Sequence, residues 1–166
     1  MSRPKIKVPY EQLDIFVELL NITLLLLIWG YTLTHYFDLP ETIPVHFNAE
    51  GVADDYGNKA VIWILPAIAT FLYFTMFLLN RFPHIHNYMV NITEENALKN
   101  YRLSTRVLRY VNLYCLLLFA LLVYDMFNMS QGGEAKILSP EFILVSIAAP
   151  IGLVAYAIYQ QKRINR

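Results

Sequence analysis

Residues 39–59 read LPETIPVHFNAEGVADDYGNK, a polar segment set between two long apolar runs. The runs on either side, 15–37 and 60–79, are each long enough as helix to cross a hydrocarbon core of about 30 Å. Lipid insertion accounts for them but not for the segment between. It holds Glu41, His46, Glu50, Asp54 and Asp55, one cation, Lys59, and the chain-turning residues Pro40, Pro44, Gly51 and Gly57. Such a segment has to lie outside the bilayer, which makes its two neighbours separate spans.

Two further runs, 107–127 and 141–159, have the same length and character. The 166-residue chain is 57% hydrophobic and only 16% charged, where a soluble domain would carry about a quarter charged residues. In hydrocarbon each run must be helical, because an unpaired backbone group there costs several kcal/mol. The expected architecture is therefore an all-α polytopic membrane protein: one domain over 1–166, four transmembrane helices, and a structured external loop between the first and second. A net charge of zero gives no reason to expect nucleic-acid binding. The single cysteine, Cys115, lies inside an apolar run and reads as an inert buried thiol.

Several helix ends carry recognisable chemistry. Ser139-Pro140-Glu141 offers a capping hydroxyl, a proline for the first helical position and an acid for the first turn. Asn58 can cap the second span. Thr93-Glu94-Glu95 can start a helix that continues to Phe127, about 34 residues and roughly 50 Å, so it projects beyond the bilayer. Pro66 and Pro150 each remove a helical hydrogen bond and favour a kink.

The cations set the orientation. Eleven of the 13 Lys and Arg residues fall at the termini or around the second loop; only Lys59 and Lys136 lie in the first and third loops. The positive-inside rule then puts both termini in the cytoplasm and the 39–59 loop outside. The localisation expected is a bacterial cytoplasmic (inner) membrane, with no cleavable signal peptide. Glu18 and Asn21 are polar positions within the first span; Glu18 sits toward its cytoplasmic end and can reach the interface or pair with a basic group. Residues 8–14, with Glu11 and Asp14, read as an amphipathic lead-in along the interface. Tyr10, Tyr31, Tyr36, Tyr110, Tyr124 and Tyr159, with Trp63, fall near span ends and read as interface anchors. Asn91-Ile92-Thr93 and Asn128-Met129-Ser130 match the short glycosylation pattern, a weak signal.

Three groups could carry chemistry. Lys99, Arg102, Arg106 and Arg109 recur at helical spacing and form a basic cytoplasmic face, suited to lipid headgroups or an acidic partner. His84 and His86 could chelate a metal if extended, though no third ligand is near in sequence. The external loop is densest. Ile43-Pro44-Val45-His46-Phe47 suits an extended run; Asn48-Ala49-Glu50-Gly51 and Asp54-Asp55-Tyr56-Gly57 have turn compositions. Folding back brings His46 beside Asp54 or Asp55, a pair that suits a divalent cation or acid/base work. The ligand or partner-binding candidates are His46, Asn48, Gly51, Asp54, Asp55 and Gly57, with His46 and Asp54 as the metal candidates.

The segment from Leu39 into the second span resembles the domain of unknown function 1648. Members have a membrane helix, a loop patterned L-P-x-x-I-P-x-H-F/W-N-x-x-G-x-x-D-x-x-G-x-K and a proline-bearing second helix. Leu39, Pro40, Ile43, Pro44, His46, Phe47, Asn48, Gly51, Asp54, Gly57, Lys59 and Pro66 stand at the matching positions, over about residues 20–80. That domain also occurs in the SdpI-related proteins, which protect bacteria from a sporulation-delaying peptide toxin. Asn87-Tyr88-x-Val90 and Thr93-Glu94-Glu95-Asn96 are loosely similar to the region C-terminal to the domain in those proteins. The resemblance implies a multi-pass bacterial membrane protein of uncharacterised activity.

The function expected is non-enzymatic: an envelope accessory, sensor or immunity-like protein whose His46 loop contacts an envelope protein, a peptide or lipid. The alternative is a small membrane metalloenzyme using His46 with Asp54 or Asp55; a transporter subunit comes third, for lack of an inverted repeat. No cofactor is expected other than a divalent metal under that alternative, and a homo-oligomer is compatible with the four spans.

Overall fold

A computed structural model describes residues 3–48, 52–134, 137 and 140–166. Four helices dominate: α1 (Gln12–His35), α2 (Ile64–Leu79), α3 (Glu94–Ser130) and α4 (Pro140–Ile164). All four are long and apolar enough to cross a membrane, α2 together with the tight turn before it. Between α1 and α2 the polar segment folds into a two-stranded antiparallel hairpin, β1 (Thr42–Phe47) and β2 (Ala53–Asn58). The all-α expectation holds for the spans, and the structured loop is a small sheet.

The central element is α3, against which the other three helices pack; α1 and α2 also meet, while α4 leans chiefly on α3. The capping expectation is met, because Thr93 and Asn96 form a reciprocal capping box that starts α3. At 37 residues the helix is about 55 Å long, well beyond a hydrocarbon core. Its projecting turns are not bare. Tyr101, fully buried, donates its hydroxyl to Pro4 O at 2.9 Å and packs with Ile92 and Ala97 beneath Val8, Tyr88 and Val90.

The main core runs from the middle of the bundle to the hairpin end. Ile28 of α1, Ile62 and Ala69 beside and within α2, and Leu116, Val123 and Phe127 of α3 form one cluster, closed by Leu39 and Ile43. Elsewhere large apolar side chains face outward, among them Leu26, Phe71, Leu144 and Ile151, as helices in lipid require.

Three local expectations need correction. First, Asp54-Asp55-Tyr56-Gly57 is not a turn but the body of β2. Pairing with a docked β1 overrides its poor strand composition. Second, residues 8–14 form no lead-in along an interface: α1 begins at Gln12, and Asp14, 2% exposed, turns inward. Third, Pro66 lies in the first turn of α2, just after the tight turn Lys59–Trp63, where a missing N–H costs least. Pro150 stands in the interior of α4. The expected start of the fourth span is met, since Pro140 opens α4 and Glu141 is in its first turn; the helix runs on past 159 to Ile164, and Ser139 lies outside the described residues.

Candidate functional site

Most of the patterned loop builds the hairpin. Ile43, fully buried, anchors β1 in the core, and Leu39 and Pro44 are buried beside it. Asn48 closes the hairpin: its backbone N–H donates to Val52 O and its side-chain oxygen accepts from Val52 N, both at 2.9 Å. Gly57 lies across from Val45, whose Cγ1 would be 3.0 Å from an added Cβ, so a side chain there would crowd the sheet. Asn58 caps the following turn, accepting from Ala60 N at 2.9 Å. Lys59 locks the base, with Nζ 3.0 Å from Glu41 Oε1 and 3.3 Å from Leu39 O, and 5.4 Å from the Tyr36 ring centroid.

The remaining polar side chains point out. His46 Nδ1 lies 2.5 Å from Asp54 Oδ1, with 68% of the His46 and 45% of the Asp54 side chain exposed. The expected meeting of His46 with a carboxylate therefore occurs, and Asp54 is the partner. Asp55 is opposite His46 in the register, but its Oδ1 accepts from Tyr56 N at 2.8 Å. Gly51 lies outside the described residues. No group of three His, Cys, Asp or Glu side chains able to hold a metal occurs among the described residues. Beside the pair, Thr42, Pro44 and Tyr56 of the hairpin face Met129 and the 130–134 turn across a cleft of about 600 Å³.

At the opposite end of the bundle the basic face of α3 turns inward. Arg102 Nε is 3.1 Å from Glu11, Arg106 is 2.7 Å from Glu11 and 3.1 Å from Asp14, and Arg109 is 3.5 Å from Asp14 and 3.7 Å from Glu18. Arg109, 5% exposed, also stacks over Tyr10 at 4.5 Å. The four cations do share a face, but three of them hold α1, and Lys99 donates to Ile164 O at 2.6 Å. Glu18, expected to reach a basic group, pairs with Arg109 and accepts from the Tyr73 hydroxyl at 2.9 Å. Below it, the side-chain oxygens of buried Asn21 and Asn112 have no hydrogen-bond partner among the described residues. Ordered water commonly meets such groups.

Sequence reasoning read Glu11 and Asp14 as part of a lead-in and Glu18 separately, and missed that the three form one acidic stripe. Their spacings of three and four match those of Arg102, Arg106 and Arg109, and two complementary helical stripes are a signal that the helices pair. Two other features had no signal. Asp125, fully buried in α3, accepts from Ile137 N at 3.0 Å. Asn100 forms an amide cluster with Gln161 and Asn165 that ties the end of α4 to α3. The His84–His86 chelate is not assembled either. The His86 ring engages Ser104 Oγ through Nδ1 and donates from Nε2 to Leu79 O at 3.0 Å.

Residues 23–70, which comprise most of α1, the whole hairpin and the start of α2, match the family described as a domain of unknown function (DUF1648). An uncharacterised protein of Archaeoglobus fulgidus is 33% identical over 148 residues, spanning 80% of this chain and 80% of that protein. No solved structure matches the chain. With that relative aligned over four-fifths of both chains, and the helix–hairpin–helix unit carrying the family pattern, the chain belongs to the family of the domain of unknown function DUF1648, as a multi-pass membrane protein with four spanning helices.

Proposed function

We propose that the protein is a non-enzymatic receptor of a prokaryotic cytoplasmic membrane, its termini inside and its hairpin outside, where the hairpin captures an extended peptide or protein segment. The observation that carries this reading is the division of labour within the hairpin. Ile43, Asn48, Gly57 and Lys59 build and anchor it, whereas His46, Asp54 and Tyr56 stand exposed on its surface. Three physical features support a peptide occupant. A two-stranded sheet offers an open outer edge to which another strand can add by backbone pairing. The His46–Asp54 pair supplies hydrogen-bonding groups beside that edge. The cleft of about 600 Å³ next to Tyr56 is within the size range of ligand-binding clefts and has room for more than one side chain of a bound segment.

The orientation is supported by the cations, eleven of 13 lying at the end that carries the termini. Sensor, accessory and immunity-like roles, including an SdpI-like one in a bacterium, are finer versions of the same act of capture.

A photo-crosslinking amino acid in place of Tyr56, used in native membranes, tests the reading. A discrete peptide or protein adduct is expected, lost in His46→Ala and Asp54→Ala proteins that reach normal membrane abundance. An adduct unchanged by both substitutions, or none formed at all, would refute it. The topology is checked with Val52→Cys in a Cys115→Ser background: an impermeant thiol reagent should label it in intact cells.

A further inference from the structure

A second cavity, of about 530 Å³, lies between α3, α4 and the 85–89 connection, at the end of the bundle away from the hairpin. Its long walls are apolar. Leu103, Val107 and Val111 of α3 line one side, and Val154, Ala157 and Ile158 of α4 the other. The α3 wall alone extends roughly 12 Å along its axis.

The polar groups at the outer end of this cavity are already occupied with one another. Gln161 Oε1 accepts from Met89 N at 2.8 Å, and its amide donates to Asn100 Oδ1 at 3.3 Å. Asn100 and Asn165 exchange hydrogen bonds of 2.9 and 3.0 Å. His86 and Tyr88 both engage Ser104, and the Tyr88 hydroxyl donates to Pro83 O at 2.7 Å. Apart from the exposed Asn87, the polar rim is engaged internally and offers a small polar ligand little to displace water with. What it does offer is a long apolar wall, so the matching ligand is a hydrocarbon chain.

The position selects the source of that chain. Both α3 and α4 cross the membrane, and α2 and α4 lean on α3 without substantial packing on each other, so the gap between them faces the bilayer. The charge around the outer end selects the headgroup. The Arg3 guanidinium lies 5.2 Å over the ring of Tyr88, a lining residue. Arg3 also donates to His84 O and His86 O, at 3.2 and 2.5 Å. Lys162, one turn beyond Ile158 on the same side of α4, is exposed, and Lys99 adjoins Asn100. Glu94 and Glu95 are the opposing charges, at the start of α3. Basic pockets between spanning helices are suited to anionic lipid headgroups.

We propose that this cavity is a lipid site that takes one acyl chain of an anionic phospholipid, with the phosphate held toward Lys162 and Arg3. It is separate from the hairpin and does not depend on what the hairpin binds.

The test uses the full chain in nanodiscs containing phosphatidylglycerol with a photoreactive group midway along the acyl chain. Adducts are expected on 103–111 and 154–158, at least fivefold above those on the outward-facing Tyr156 and Tyr159. Ala157→Trp, which fills the cavity from α4, should lower the cavity adducts at least fivefold. Val107→Phe fills it from α3 and keeps the test decisive should the first variant fail to insert. Lys162→Gln should lower them severalfold, and the same probe on phosphatidylcholine should label severalfold less. Adducts spread evenly over α4, insensitive to cavity filling, or equal for the two headgroups would overturn the proposal.

Discussion

At the end that carries the termini, Asp14 is 2% exposed and lies between Arg106 and Arg109. At the hairpin end, His46 and Asp54 meet at 2.5 Å with 68% and 45% of their side chains in solvent. The first pair of elements, α1 and α3, is joined by charge; the hairpin is joined to the bundle by Ile43 and Leu39 inside an apolar cluster. At the termini end buried charge is therefore part of the assembly. At the hairpin end Lys59–Glu41 and buried Asp125 are structural too, but the His46–Asp54 pair stands in solvent, where it can meet something else. That contrast is why the hairpin, rather than the denser basic face, is the candidate recognition element.

Breaking the buried cluster should have the largest effect. Asp14→Ala leaves Arg106 and Arg109 without their shared carboxylate, although Glu11 and Glu18 still face them, so the cost should fall at or below the roughly 3–5 kcal/mol of a fully broken buried pair. A large fall in the denaturation midpoint of the purified protein is expected. Asp14→Leu combined with Arg106→Met should cost much less than the two changes summed, because neither charge is then left alone. A loss under about 1 kcal/mol from Asp14→Ala would dissolve the contrast between the two ends. Ile43→Ala tests the other half. It removes a fully buried anchor, which for such truncations costs about 2–5 kcal/mol. Proteolysis within the hairpin should rise before the helices melt.

Smaller changes sharpen the picture within the hairpin. Gly57→Ala brings a Cβ to 3.0 Å from Val45 Cγ1 and should cost about 1 kcal/mol, recovered by Val45→Ala. His46→Ala and Asp54→Ala should each change stability by less than about 1 kcal/mol, as exposed pairs do. If either unfolds the hairpin, the pair is structural and the proposed capture loses its basis.

The spans were legible because lipid leaves no alternative to long apolar helices, and the Thr93 and Asn58 caps because a side-chain oxygen beside orphan N–H groups is a local device. β1 was legible from Ile43 to Phe47. β2 was not, since Asp54-Asp55-Tyr56-Gly57 is built of turn-formers and becomes a strand only through its register with β1. The four cations of α3 could be placed on one face, but which neighbour that face meets depends on how α3 is rotated about its axis. No single helix contains that information. The His46–Asp54 pair could be narrowed to two carboxylates and no further, because the choice between Asp54 and Asp55 depends on an irregularity in strand register beside His46.

The smallest effect belongs to the termini end and concerns pH. His86 is outside the spans, and burial is the main force holding its imidazole below the usual range. Leu79 O can only accept, so the Nε2 proton donates to it and Nδ1 is left to accept from the Ser104 hydroxyl, which is the neutral tautomer. In the unfolded chain His86 takes up a proton near its ordinary pKa of about 6.5. The unfolded state then binds more protons, so the contribution is complete above that pH and declines as pH falls through it toward the lower folded value. One such group can add at most about 1.4 kcal/mol per pH unit to the slope of stability. Melting monitored from about pH 7.5 down to about pH 5, a window that brackets the ordinary value, should show that slope, and His86→Gln should flatten it. Because the His86 ring joins the end of α2 to α3, the loss should appear first as opening of the 80–89 connection in hydrogen exchange, leaving the hairpin amides protected. Simultaneous exposure of both ends would mean that charge and apolar anchoring hold a single cooperative unit rather than two.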